Sequence, residues 1–260
     1  GLSLEDIMAK RKPNTKGIYV ESPSNPTLQL VNLKELASWA KSEGLWTIID
    51  NTFASPVNQN PIALGIDIVI HSATKYLGGH SDISAGAVVG ERKAISKVYE
   101  VAKNLGGNLS DATVWLLERS IKTLSLRVEA QNNNAQQLAF FLEEQSWIKK
   151  VYYPGLPSHP DHDLAKAQMK GFGGMLSFEL DPKINVSEFL SNFTLIKPSM
   201  SLAGVESTAL SPRLTSHALL TEEERIDQGI TPQLIRFSCG IEAVEDLQED
   251  LENALKNCTL

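Results

Sequence analysis

A lysine, a carboxylate and two hydroxyls occur in this chain at a spacing that suits one kind of chemistry. Lys75 stands in the stretch HSATKYLGGHSD (71–82), with Ser72 and Thr74 within three residues before it and Gly78–Gly79 just after. A lysine taken alone is almost always a solvated surface group. Lys75 instead comes closely after the apolar run 66–70, which reads as a strand. Hydroxyls and backbone N–H groups gathered at a strand end suit a phosphate. The glycine pair lets backbone approach a ligand closely. A lysine desolvated beside such a site loses its proton readily and becomes a nucleophilic amine.

Asp50 ends the apolar strand 45–49 that precedes this one. In a parallel sheet, neighbouring strands bring their carboxyl ends to one rim, where ligands bind. A ligand that needs a carboxylate for a basic ring nitrogen, an amine for an aldehyde and hydroxyls for a phosphate is pyridoxal phosphate. Without the lysine, Asp50 would read as an ordinary turn or capping residue.

The elements required to hold these groups are legible nearby. Residues 16–21 (KGIYVE) read as a strand, and Pro23 and Pro26 forbid its regular continuation. Asn32 is a helix N-cap, Leu33, Leu36, Ala37 and Ala40 make an apolar stripe at helical spacing, and Gly44 is the stop. A short helix is expected around 62–64, strands over 66–70 and 84–90, and a long helical region over 110–145. Continuous apolar strands alternating with helices predict a parallel sheet covered on both faces. Further strands are expected at 148–152, 174–180 and 234–238, and helices near 163–169, 187–193 and 243–257. These predict a second, smaller α/β domain. The boundary is placed at residue 123, giving a large domain over 1–123 and a small C-terminal domain over 124–260.

Composition narrows the class. The 260 residues are 42% hydrophobic and 21% charged, with a formal net charge of −7. The basic residues are scattered, so no cationic footprint for nucleic acid is present, and no long uncharged apolar run suggests a membrane span. The first residues, GLSLEDIMAKRKP, lack the apolar core of a signal peptide. Cys239 and Cys258, far apart and with no CxxC, argue for a reducing, cytoplasmic setting and against a zinc or disulfide framework. His159 and His162 in SHPDHD lack zinc-site spacing and read as loop residues, so no metal is expected. His71 and His80 read as packing or hydrogen-bonding residues. Gly106–Gly107 is not a dinucleotide fingerprint, and Cys239 reads as a small core residue.

Several stretches together resemble the Cys/Met-metabolism family of pyridoxal-phosphate enzymes: ESPSNP (21–26), IDNTFASP (49–56), GIDIVIHSATKYLGGHSD (65–82), LERSIKTLSLRV (117–128), YPGLPSHP (153–160), GGMLSFEL (173–180), SLAGVES (201–207) and IRFSCGIE (235–242). They run in the family's order over essentially the whole chain. The resemblance implies an aspartate-aminotransferase-like fold (fold type I) with a large domain that is only partly present here. It also implies a trans-sulfuration activity by γ- or β-replacement or elimination on cystathionine, an O-acylhomoserine or another sulfur amino acid, and a self-associating enzyme.

The resemblance assigns roles residue by residue. Lys75 matches the lysine that carries the cofactor. Asp50 matches the partner of the ring nitrogen, Ser72 and Thr74 match phosphate-holding side chains, and Asn25 matches a residue near the ring hydroxyl. Ser201 and Arg236 match groups that hold the substrate α-carboxylate, a task for which the planar guanidinium is suited. Glu206 reads either as a substrate-selecting residue or as an exposed loop carboxylate. An inert scaffold and an aminotransferase of the same fold are the competing readings.

Departures accompany the resemblance. Ala203 stands where the family usually has Gly, Thr215-Ser216-His217 stands for Met-Thr-His, and SPRL (211–214) is unusual. These changes flank the substrate side. The chain starts with Gly and lacks the family's N-terminal portion, which carries a Gly-Met phosphate loop, a ring-stacking tyrosine and a Tyr–Arg pair lent to a neighbouring subunit. The expectation is a truncated or processed chain with little activity of its own.

Overall fold

The computed structural model of the protein describes residues 3–258. In chain order the helices are α1 (Leu4–Ala9), α2 (Leu33–Ser42), α3 (Ser55–Asn58), α4 (Arg92–Leu105), α5 (Asp111–Ile121), α6 (Leu124–Glu143), α7 (His162–Gln168), α8 (Val186–Ser191), α9 (Glu222–Asp227) and α10 (Val244–Lys256). The strands are β1 (Gly17–Glu21), β2 (Trp46–Asp50), β3 (Ile68–Ser72), β4 (Gly86–Gly90), β5 (Ile148–Tyr152), β6 (Met175–Leu180), β7 (Lys197–Pro198), β8 (Thr208–Leu210) and β9 (Leu234–Ser238). The chain packs as two compact units. One takes in 1–24, 29–124 and 163–171, and the other 25–28, 125–162 and 172–260.

The first unit is built on a four-stranded sheet in the order β1-β2-β3-β4. The first three strands are parallel, with Asp50 opposite Ile70. β4 runs antiparallel to β3, because the chain between them turns back without the helix that a parallel crossover needs. α2 closes one side. The Asn32 carboxamide accepts the Glu35 N–H at 3.2 Å, and Leu33, Leu36 and Ala37 pack with Ile49, Ile66 and Val69. Each such buried leucine contributes about 1.5–3 kcal/mol.

Two expectations shift here, and one helix adds to them. The strand expected over 66–70 lies at 68–72, since Ile66 belongs to the core under α2 and Asp67 is occupied in holding Thr47. Among the described residues one face of the sheet is left open at Tyr19 and Trp46, which are 60% and 50% exposed, where cover on both faces was expected. α4 was not anticipated, although Gly106 at φ 73° supplies its stop.

The second unit holds a five-stranded sheet in the order β5-β6-β9-β8-β7. Its core joins Leu138 and Leu142 of α6, Phe178 of β6, Phe189 of α8, Phe237 of β9 and Leu247 and Leu251 of α10. β9 lies in the middle and is buried at every position. That is what carries Arg236 into an apolar setting.

Candidate active site

In the first unit, the ends of β2 and β3 are tied together by a single threonine. The Thr52 N–H donates to Asp50 Oδ1 at 2.9 Å, and Thr52 Oγ1 accepts the Ser72 N–H at 2.8 Å. Asp50 and Ser72 are thereby fixed on one rim. Among the described residues Asp50 Oδ2 has only a long contact, from the Tyr19 hydroxyl at 3.4 Å. The Ser72 hydroxyl makes no hydrogen bond among the described residues.

Three residues beyond β3, Lys75 sits in a tight turn. Its N–H donates to Ser72 O at 3.0 Å, and its carbonyl accepts the Gly79 N–H at 2.7 Å. Gly78 has no room for a Cβ, which would meet Ala73 O at 3.0 Å and the Ile83 side chain at 2.9 Å. Lys75 is half-buried, and the neighbouring Tyr76 is 2% exposed. The Thr74 hydroxyl is engaged with backbone, accepting the Ala85 N–H at 2.9 Å and donating to Ala85 O at 3.3 Å. That pins the turn to the chain entering β4.

Beneath this rim lies a buried carboxamide network. Gln59 Nε2 donates to Asn51 Oδ1 at 2.8 Å and to Ser22 O at 3.0 Å, and Asn51 Nδ2 donates to the carbonyls of Ser55 and Gln59. Gln168 Nε2 adds a contact to Gln59 Oε1 at 3.2 Å. His71 is buried on β3. Burial pushes its pKa down, and the Asp50 carboxylate pushes it up.

In the second unit, Arg236 is 5% exposed. Its Nη2 donates to Met200 O at 3.1 Å, and its Nη1 lies 3.4 Å from Asn25 Oδ1. No carboxylate pairs with it among the described residues, and burial lowers its pKa to about 10. Asn25 arrives because Ser177, paired with Arg236 across β6 and β9, donates its hydroxyl to Pro26 O at 2.7 Å. Ser201 adjoins Met200, and its carbonyl accepts the Thr208 hydroxyl at 2.7 Å. Asn25, expected near the cofactor's ring hydroxyl, lies in the second unit at Arg236, while Ser201 follows Met200, whose carbonyl holds that guanidinium. Glu206 differs, forming an exposed ion pair with Lys197 at 3.9 Å. His217 is close enough to Arg236 for its pKa to be lowered, first by burial and then by that cation.

The paired histidines of SHPDHD are engaged locally. His159 Nδ1 accepts the Asp161 N–H at 3.1 Å, and His162 Nδ1 lies 2.8 Å from Pro154 O. Thr52 was missed by sequence reasoning. Its signal was the Asp-x-Thr spacing, since an aspartate readily accepts the backbone N–H two residues on. The buried Asn51–Gln59 pair offered no such local sign.

Over residues 1–256 the chain matches the family described as Cys/Met metabolism PLP-dependent enzyme. It is 48% identical over 255 residues to a cystathionine β-lyase of Lactococcus lactis subsp. cremoris (strain MG1363), covering 98% of this chain and 67% of the relative. It is 47% identical over 256 residues to a cystathionine γ-lyase of Bacillus subtilis (strain 168), covering 98% and 68%. Among solved structures, a cystathionine γ-lyase from Lactobacillus plantarum complexed with L-serine superposes with a TM-score of 0.96 at 41% identity, covering 99% of this chain and 68% of that one.

Proposed function

The chain belongs to the Cys/Met metabolism PLP-dependent enzyme family, and from that premise we propose that it serves a trans-sulfuration enzyme cleaving or replacing the bond at the β- or γ-carbon of a sulfur amino acid, with cystathionine the first candidate. Its cofactor is pyridoxal phosphate. The residues fit that group: Asp50 Oδ2 and the Ser72 hydroxyl both retain hydrogen-bonding capacity beside the half-buried Lys75. When bound, the cofactor supplies an aldehyde for an amine and a ring that takes up electrons released at the substrate α-carbon.

The chain's own residues then have distinct tasks. Lys75 Nζ would hold the cofactor, and its amine would carry a proton between substrate carbons. The Asp50 carboxylate would keep a proton at the ring nitrogen. Ser72 and Thr74 would hold the phosphate, Thr74 by turning its hydroxyl away from the 3.3 Å bond to Ala85 O, and Asn25 is proposed for the ring hydroxyl. Ser201 and Arg236 would orient the substrate carboxylate, and Glu206 would take part in substrate selection only by giving up its exposed ion pair with Lys197.

The observation that carries the amino-acid reading is Arg236, a buried guanidinium with no carboxylate partner among the described residues. A buried charge is costly unless paired, and a substrate carboxylate completes the pairing through two parallel bonds. A β-lyase and a γ-lyase match this chain almost equally well, so product analysis separates them. With one water consumed, β-elimination of cystathionine releases homocysteine, pyruvate and ammonia; γ-elimination releases cysteine, 2-oxobutyrate and ammonia. Incubating the full-length, cofactor-loaded protein (the holoenzyme) with cystathionine, an O-acylhomoserine and methionine should yield one of these product sets or a replacement product. A holoenzyme that only transfers amino groups would contradict the reading.

Self-association is supported by the exposed apolar side chains Val98, Val101 and Leu105 of α4 and Trp115 of α5. A cytoplasmic setting is supported by two free, buried cysteines. Among the described residues no helix is long and apolar enough to cross a membrane. Because the match spans about two thirds of the relatives' length, the 260 residues assayed alone are expected to turn over little or no cystathionine. Steady turnover by this exact chain would contradict that.

A further inference from the structure

The loop 200–207 carries both Ser201 and the carbonyl that holds Arg236, and its shape is set from outside it. At its centre Ala203, fully buried, adopts φ 62°, a left-handed conformation that side chains other than Gly rarely take. Something must hold that turn in place. On one side the Ala203 N–H donates to Ser238 Oγ at 2.7 Å. On the other, Gln131 of α6 donates its amide to Gly204 O at 2.7 Å. The amide's orientation is dictated by its partner, since only the NH₂ end can face a carbonyl.

Gln131 is an expensive residue for this position. It is completely buried, and its Oε1 has no partner among the described residues. A methionine would fill the same space without an orphaned oxygen, so packing does not account for it. One turn further along α6, Asn134 donates to the carbonyls of Gly240 and Glu242 at 3.1 and 2.8 Å. Glu242 in turn accepts the Ser207 N–H at 2.6 Å and its hydroxyl at 2.9 Å. Positions three apart share a helix face. Two carboxamides of α6 therefore anchor the loop at its centre and at its far end, Gln131 directly at Gly204 and Asn134 through Glu242 at Ser207.

We infer that Gln131 is a positioning residue for substrate-carboxylate recognition, holding the left-handed turn at Ala203–Gly204 so that Ser201 and the Met200 carbonyl keep their places beside Arg236. The inference rests on the carboxylate role given above to Ser201 and Arg236. Gln131 touches neither substrate nor cofactor and acts through the loop alone. Removing its N–H leaves the Gly204 carbonyl buried without a donor, and the turn is free to relax.

The test uses the holoenzyme with Gln131→Met, Gln131→Glu and Arg236→Lys measured side by side. Gln131→Met is expected to raise KM for the amino-acid substrate about tenfold, the scale of one buried hydrogen bond, while kcat and the absorbance of the bound cofactor stay close to wild type. Gln131→Glu is expected to show a KM, relative to wild type at each pH, that falls as the solution is acidified, because the protonated carboxyl regains a donor for Gly204 O. A merely structural residue would lower the melting temperature without that pH-dependent recovery. Should Gln131→Met fail to fold, the pH profile of Gln131→Glu decides. If Arg236→Lys raises KM and both Gln131 variants leave it unchanged, the inference is overturned. If Arg236→Lys itself leaves KM unchanged, it is the carboxylate reading that fails.

Discussion

The two units assemble their share of the chemistry in opposite ways. In the first, the candidate cofactor groups are joined by short-range ties: Asp50 to Thr52, Thr52 to Ser72 and Thr74 to Ala85, none more than 20 residues apart in sequence. In the second, Arg236 meets a carbonyl 36 residues away and an asparagine 211 residues away, and Gln131 reaches 73 residues to Gly204. A rim made from consecutive strand ends needs only the sheet to form. A pocket made from a strand, a loop, a helix and residues 25–28 needs the whole unit to fold first. The first arrangement leaves donors and acceptors uncommitted; the second leaves a buried cation without a counter-ion.

The comparison can be broken most forcefully at Arg236. In the holoenzyme, Arg236→Lys should raise KM by about 10- to 100-fold, since a compact ammonium cannot form the paired bonds of a guanidinium and hydrogen bonds to charged groups contribute about 1.5–3 kcal/mol. An unchanged KM in steady-state kinetics would remove the reason for calling the second unit a carboxylate site.

A smaller effect tests whether long-range ties support the loop. Asp250 of α10 accepts the Thr194 N–H and hydroxyl and the N–H groups of Leu195 and Ile196, at 2.7–3.0 Å. These precede β7, the strand that leads into loop 200–207. Burial alone would raise the Asp250 pKa, but these bonds bring it below the usual aspartate value. The folded pKa is thus below the unfolded one. The resulting stabilisation is complete above the ordinary value of about 3.9 and is lost as pH falls through the folded pKa. Asp250→Asn should cost about 2–3 kcal/mol in denaturant unfolding at pH 7, and the gap to wild type should narrow below pH about 4. A gap that widens on acidification would reverse the assignment.

The smallest effect concerns Ala203. Replacing it with Gly at φ 62° removes left-handed strain of about 1–2 kcal/mol, offset by the greater chain entropy that Gly loses, for a net gain of about 0.5–1 kcal/mol. Thermal unfolding measures it. A loss of stability would show that the Ala203 methyl packs better than its backbone suffers.

Legibility in the sequence tracked the same divide. The bounds of β5 and β9 and the capped helix α2 were readable because apolar pattern and capping chemistry agree there. The shared rim of Asp50 and Ser72, with Lys75 just beyond it, was readable because strand ends converge in a parallel sheet. Arg236 was not: a single arginine inside a strand-like segment carries no local sign of burial, and only the family resemblance pointed to it. β7 and β8, of two and three residues, are too short for periodicity to register. The open face bearing Tyr19 and Trp46 was unreadable for another reason: continuous apolar strands look alike whether or not something lies over them.

The account stands on Lys75, and chemical trapping tests it most directly. The holoenzyme is treated with borohydride to make the cofactor bond permanent, digested, and mapped by mass spectrometry. The account predicts a pyridoxyl group on the peptide containing Lys75 and on no other lysine. A pyridoxyl group on Lys41 or Lys93, with Lys75 unmodified, would contradict it.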